Sequence, residues 1–119
     1  MKRKDYKVMT ISDHAFERLK QRSGLNKSAA IRISEKAYKL GLTHAECKGN
    51  LYKWVSGTTK SSRTGSSFRV YGDKLWIFTR EKIEDTQDYE VKLITVLQVP
   101  PNLKNSVDTL MAKKREKQV

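Results

Sequence analysis

Three residues near the start of the sequence have the types and the spacing to act on a phosphate. In the segment ISDHAFERLKQRSG, His14, Arg18 and Arg22 stand at successive fourth positions. On a helix they would span about 80° of the circumference, with apolar residues on the other side. An imidazole can move a proton, and guanidinium groups can neutralise a phosphorane, so the set suits cleavage of RNA by its own 2′-hydroxyl. The alternative interpretation is a solvated basic face without chemistry.

A second histidine offers a further proton carrier. His44 begins a segment that also carries Lys48, Tyr52 and Lys53. Two histidines could supply the acid and the base of such a reaction. Because His44 follows a helix-capping threonine, its imidazole could instead cap the turn.

Several other side chains have both a functional and a structural interpretation. A hydroxyl inside an apolar strand, as at Thr79 and Thr95, either bonds the backbone or faces a site. Cys47 is expected to be a small buried residue. Aromatic rings could stack on bases if they point outward, but in a chain with few large apolar groups they are expected in the core. These rings are Trp54, Tyr71, Trp76 and Phe78.

The sequence lacks the motifs of other site chemistries. It has no glycine-rich phosphate loop, no paired Cys or His at zinc spacing and no carboxylate cluster suited to Mg²⁺. We therefore predict neither a metal site nor a cofactor.

The charge of the chain indicates a polyanionic partner. Twenty-five Lys and Arg against thirteen Asp and Glu give a formal net charge of +12 over 119 residues. Nucleic acid is the expected partner, RNA in particular, although an anionic membrane surface or an acidic protein patch would also satisfy the charge. The residues that we predict to contact nucleic acid are Lys20, Lys48, Lys53, Lys60, Arg63 and Arg69.

The hydrophobic pattern predicts helices first and strands later. A helix should run from the capping residues Thr10 and Ser12 to Gly24, and a second should end at Gly41. A short third helix or a turn should lead into a strand at 51–55. The segments FRVYGDKLWIFTRE and VKLITVLQVP predict a β-hairpin and a central strand that is covered on both faces.

We therefore predict an α+β domain, with two or three N-terminal helices packed on one face of a three- to four-stranded antiparallel sheet. Residues 1–10 should form a basic arm, 11–101 the domain, 56–67 a mobile loop, and 102–119 a basic tail that could be helical. The single cysteine and the lack of a long apolar run predict a cytoplasmic protein without a membrane segment. The oligomeric state stays open.

The order of these features resembles a known superfamily. The segment SDHAFERLKQRSGL is similar to the opening of small phage and bacterial domains of the barnase, EndoU, colicin and RelE-like ribonuclease-toxin superfamily. There, a His-Ala pair is followed by arginines at successive fourth positions and by a β-meander that ends in a strand such as LITVL. The resemblance covers residues 11 to 99. The long Ser/Thr/Lys-rich loop and the segment THAECKGNLYKWV depart from that pattern.

The resemblance implies a metal-independent endoribonuclease of phage or toxin type, in the host cytoplasm for a phage protein. His14 would be the acid or base, Arg18 and Arg22 would hold the scissile phosphate, and Thr95 would orient it. Two alternatives stay open. One is a basic nucleic-acid-binding protein that does not cut, and the other is an inhibitor of a host or defence nucleoprotein.

Overall fold

A four-stranded sheet forms the middle of the protein in the computed structural model, which describes residues 6, 8–60 and 66–117. The predicted contact residue Arg63 lies outside the described residues. Two 3₁₀ turns, His44–Glu46 and Pro101–Leu103, connect longer elements. In chain order these are β1 (Val8–Ile11), α1 (Asp13–Ser23), α2 (Lys27–Leu40), α3 (Gly49–Thr58), β2 (Ser66–Tyr71), β3 (Lys74–Lys82), β4 (Tyr89–Gln98) and α4 (Lys104–Lys117).

The sheet is mixed, and this corrects the prediction of a purely antiparallel sheet. The strand order is β1-β4-β3-β2, with β1 parallel to β4 and the other pairs antiparallel. β1 begins within residues 1–10, which the sequence predicts to be a basic arm. Met9 and Ile11 alternate with more exposed neighbours and are buried, as is Tyr6. Two buried positions in four residues are too short a pattern to identify a strand from sequence.

The sheet is covered by helices on both faces, whereas we expected helices on one face only. Trp76 and Phe78 of β3 belong to a first core with buried residues of α1 and α2. Leu75 and Ile77, which alternate with them, belong to a second core with buried residues of α3 and α4. The near-continuous apolar run of β4 is typical of a strand buried on both sides.

The third helix replaces the strand that we predicted at 51–55. Leu51 and Val55 are fully buried one turn apart, and Trp54 packs partly against the same core. A helix places these positions on one face, whereas a strand would have put Trp54 on the opposite one. α3 also takes the first residues of the predicted 56–67 loop, since it extends to Thr58.

The C-terminal segment is a helix that packs on the domain rather than a separate tail. α4 begins after Leu103, and its Val107 is fully buried in the second core. Within the part of the chain that is described, no helix has both the length and the apolar character needed to cross a membrane.

Candidate nucleic-acid interface

The first candidate site lies on α1, at the place where β1 stops pairing with β4. Ser12 caps the helix by accepting from the Ala15 amide at 3.1 Å, as the sequence predicted. Its own amide donates to Leu93 O at 2.9 Å and its Oγ donates to Ile94 O at 2.9 Å. These consecutive acceptors mark a β-bulge, because Phe78 is paired with Leu93 and Ile77 with Thr95.

Beyond this bulge, β4 stays paired with β3 on one side but has no strand on the side of β1, and α1 lies along that open edge. Arg18 Nη1 donates to Val96 O at 3.3 Å, and Arg22 Nη1 donates to Gln98 Oε1 at 3.1 Å. Gln98 in turn donates through Nε2 to the backbone carbonyl and the carboxylate of Asp73. The two arginines that were predicted to hold a phosphate therefore bind the edge of the sheet.

His14 stands beside these arginines on the exposed side of α1. Its Nε2 accepts a hydrogen bond from Arg18 Nε at 3.1 Å. Because a guanidinium N–H can only donate, this geometry requires the imidazole to carry a lone pair on Nε2. The predicted proximity of His14 and Arg18 is present, but Arg18 divides its donors between the imidazole and the sheet.

Thr95 lies on the other side of the sheet from this helix. Its antiparallel partner is Ile77, and both Ile77 and Leu97 pack in the second core. Partners across an antiparallel pair share a face. The resemblance implies that Thr95 shares a site with His14, whereas the structure places the two residues on different sides of the sheet.

A second candidate site is an aromatic cluster beside α3. The ring of His44 stacks on Tyr52 with centroids 4.8 Å apart and meets the edge of Phe68 at 6.3 Å. A hydrogen bond of 2.7 Å joins His44 Nε2 to Ser56 Oγ. Tyr52 is 45% exposed, one of three large apolar residues in the described part of the chain that are this open to solvent. We call Tyr52, His44 and Phe68 the aromatic platform.

His44 is therefore held in the layer of the second core, and His14 lies in the layer of the first. Phe68, whose ring contacts His44, packs against the second core, whereas α1, the helix that carries His14, packs in the first. The two histidines do not converge on one site as acid and base.

Three of the predicted contact lysines lie on or next to α3, the helix that carries Tyr52. Lys48 lies one helical turn before Tyr52, Lys53 follows Tyr52, and Lys60 comes just after α3. All three are exposed, and none makes an ion pair with a residue that the structure describes. Their charges are available to a ligand.

A cleft continues this surface from Lys48 towards the start of α4. Its volume is about 470 Å³. The polar side chains around it are amides, hydroxyls and one ammonium group, without a carboxylate. They are Lys48, Asn50, Asn102, Asn105, Ser106 and Thr109.

Two of the other predicted contact residues have different surroundings. Lys20 is exposed on α1. Arg69 donates through Nε to Tyr38 O and through Nη1 to Phe68 O, both at 2.9 Å, and its guanidinium lies 4.6 Å from the Tyr38 ring centroid. With these two internal hydrogen bonds, Arg69 ties β2 to α2.

The remaining candidates are structural. Trp76 and Phe78 are buried, as the sequence predicted. Cys47 is also buried, and burial, followed by the charge of Glu46, raises the pKa of its thiol to about 11. The thiol is therefore protonated near neutral pH and is not a nucleophile. Among the residues that the structure describes, no three His, Cys, Asp or Glu side chains come together as a metal site.

The sequence contained a signal for the aromatic platform that the strand prediction hid. If residues 49–58 are taken as a helix, Leu51 and Val55 define its buried side, and Tyr52 and Ser56 fall on its flank, one turn apart. Phe68 comes from a distant strand, and spacing could not have placed it there. Comparison with protein-family models, with curated proteins and with solved structures finds no match to this chain.

Proposed function

We propose that this protein binds single-stranded nucleic acid through the aromatic platform and the lysines around it, without cutting the strand. The observation that carries the proposal is the Tyr52 ring, which is stacked on His44 yet 45% exposed. The imidazole stacks on one face of the ring, and the proposal places the ligand on the opposite face.

A nucleobase is the ligand that suits such a ring. Every base has a flat apolar face, and stacking of one base on an aromatic side chain contributes about 1–3 kcal/mol. The imidazole behind Tyr52 is itself held by Ser56 and Phe68, so little ordering is needed when a base binds. Bases are exposed in single strands and are stacked away in duplexes, which favours a single-stranded partner.

The lysines supply the contacts to the backbone of the strand. Lys48 and Lys53 flank the stacking ring and can each neutralise a phosphate. The cleft next to Lys48 offers amide and hydroxyl groups to the neighbouring nucleotide. Together they give a binding surface with little dependence on sequence.

Cleavage by the α1 residues has weaker geometric support. Arg18 and Arg22 donate to the end of β4, and Thr95 belongs to the other face of the sheet. A phosphate at His14 would therefore share both guanidinium groups with these contacts. The third hypothesis, an inhibitor of a nucleoprotein, has no feature that favours it over direct binding of nucleic acid.

The test measures the affinity for labelled oligo-U and oligo-dT of about 15 nucleotides by fluorescence anisotropy, in EDTA. We expect Tyr52→Ala to weaken binding roughly 5- to 150-fold, which corresponds to the stacking of one base. Tyr52→Phe should bind like the wild type, because the ring is kept. Leu40→Ala is the matched control, since Leu40 is 44% exposed and ends α2, a helix whose buried residues pack in the first core.

Two results would count against the proposal. Equal affinity of Tyr52→Ala and wild type would show that no base stacks on the platform. Fragments of the oligo-U with 2′,3′-cyclic phosphate ends, formed by the wild type and not by His14→Ala, would instead support a ribonuclease that uses α1.

A further inference from the structure

A second basic surface lies on α2, on the opposite side of the sheet from the aromatic platform. Arg32, Lys36 and Lys39 recur at intervals of four and three residues, within about 60° of the helix circumference. All three are exposed and make no ion pair with a residue that the structure describes. We call them the α2 stripe.

The fold of α2 does not require these charges. Asn26 caps the helix by accepting from the Ala29 amide, and Ala30, Ala37 and Tyr38 bury its inner side. The nearest carboxylate on the helix, Glu35, is half-buried and accepts a hydrogen bond from Tyr6. Like charges one turn apart repel and destabilise a helix, so the stripe is best explained by an external polyanion.

The platform and the α2 stripe cannot be covered by one straight segment of nucleic acid. α2 packs in the first core and α3 in the second, with the sheet between them. The smallest extent of the molecule is 29 Å. The stripe carries no exposed aromatic ring, so its contacts would be to phosphates alone, without preference for single strand or duplex.

We propose that the α2 stripe binds the phosphate backbone of a second nucleic-acid segment, so that one molecule bridges two segments. This inference rests on the proposed function, because the first segment is the strand held at the platform. The stripe adds a second function, the joining of strands, that the platform alone does not provide.

The experiment captures a second strand on a first. Biotinylated oligo-dT on beads is loaded with the protein, unbound protein is washed away, and a labelled duplex is added. The wild type should retain the duplex. The variant Arg32→Gln/Lys36→Gln/Lys39→Gln should load on the beads within about threefold of the wild type but retain at least about tenfold less duplex.

A matched variant separates the stripe from net charge. Lys82→Gln/Lys92→Gln/Lys113→Gln removes the same charge from three exposed positions on other elements and should retain the duplex like the wild type. Equal loss in both variants, or no loss in the stripe variant, would overturn the bridging proposal. The proposal would also be overturned if duplex were retained only when two protein molecules are bound per strand of oligo-dT. The amount of protein on the beads gives this ratio.

The same experiment distinguishes failure of the two proposals. If Tyr52→Ala fails to load on oligo-dT and the wild type loads but retains no duplex, only bridging is wrong. If the wild type does not load, both proposals are wrong.

Discussion

Arg18 and Arg22 show that basic residues one turn apart on a helix can bind either a phosphate or the edge of a strand. Four residues of helix rise about 6 Å, and two residues of strand rise about 6.6 Å. Cations one turn apart therefore match alternate positions along a strand edge, here Val96 and Gln98. Because the spacing fits an open strand edge, it did not by itself identify a phosphate site.

Glycine at position 41 is required by close packing and not by backbone conformation. Its φ is −67°, but a Cβ built there would lie 2.5 Å from Ala37 O and 3.1 Å from Val70 O. Gly57, within α3, has open space around its own Cβ position. The two residues form a matched pair for a stability measurement.

We expect Gly41→Ala to destabilise the protein by about 1–3 kcal/mol, because neither backbone oxygen can move without disturbing α2 or β2. Gly57→Ala should stabilise it by up to about 1 kcal/mol through helix propensity. Urea denaturation followed by circular dichroism measures both. A Gly41→Ala variant as stable as the wild type would show that the backbone at this position relaxes at no cost.

Among the elements, α4 buries few apolar residues, so a polar contact near its end contributes to holding it on the domain. Val107 is its one fully buried residue among those described. Near its other end, Lys114 Nζ donates to Gly41 O at 2.7 Å and to Glu46 Oε1 at 2.8 Å. Glu46 also accepts from the Thr43 amide at 2.8 Å. This carboxylate joins α4 to the turn that positions His44.

The Lys114–Glu46 contact predicts a pH dependence of stability. Burial pushes the pKa of Glu46 upward, but the hydrogen bonds from Lys114 and Thr43 and the charge of Lys114 outweigh it, so the pKa lies below its ordinary 4.5. The stabilisation is therefore present above pH 4.5 and is lost as the pH falls through the lower, folded-state pKa.

We expect Glu46→Gln to cost about 0.5–1 kcal/mol at neutral pH, a modest value because the pair is partly exposed. The difference from wild type should shrink as the pH falls below 4.5. Urea midpoints across this range test it, with Glu84→Gln, an exposed residue of the β3–β4 turn, as control. A difference that stays constant with pH would exclude the ionised carboxylate as its cause.

Elements with strong local signals were predictable, and elements defined by distant partners were not. α1, with its Ser12 and Gly24 caps, α2, and the hairpin at Gly72 all follow from residue types and spacing. β1 is four residues long and is stabilised by pairing with a strand about eighty positions later. Its existence depends on tertiary pairing that no local pattern reports.

At the scale of the whole molecule, the net charge can be counted from the sequence, but the distribution of the basic residues over the two faces of the sheet cannot. The sequence predicts Lys48 and Lys53 as contact residues. Which side of the sheet their helix covers, however, depends on which side chains of the strands face that way. The single extra residue Ile94 in β4 shifts the alternation, so that Thr95 lies on the side of the second core. A bulge has no clear sequence signal, so a site assembled across the sheet was beyond spacing arguments.

The proposed surface makes a prediction that separates stacking from electrostatics. Each phosphate neutralised on a single strand contributes about 0.7 to the slope of log affinity against log salt. Lys48→Gln/Lys53→Gln should therefore lower that slope by about 1.4 for oligo-dT, while Tyr52→Ala lowers affinity and leaves the slope unchanged, because stacking releases no counterions. Anisotropy titrations from about 50 to 300 mM salt measure both quantities. An unchanged slope in the double variant would place the phosphates elsewhere, and a reduced slope in Tyr52→Ala would mean that the ring orders the lysines rather than a base.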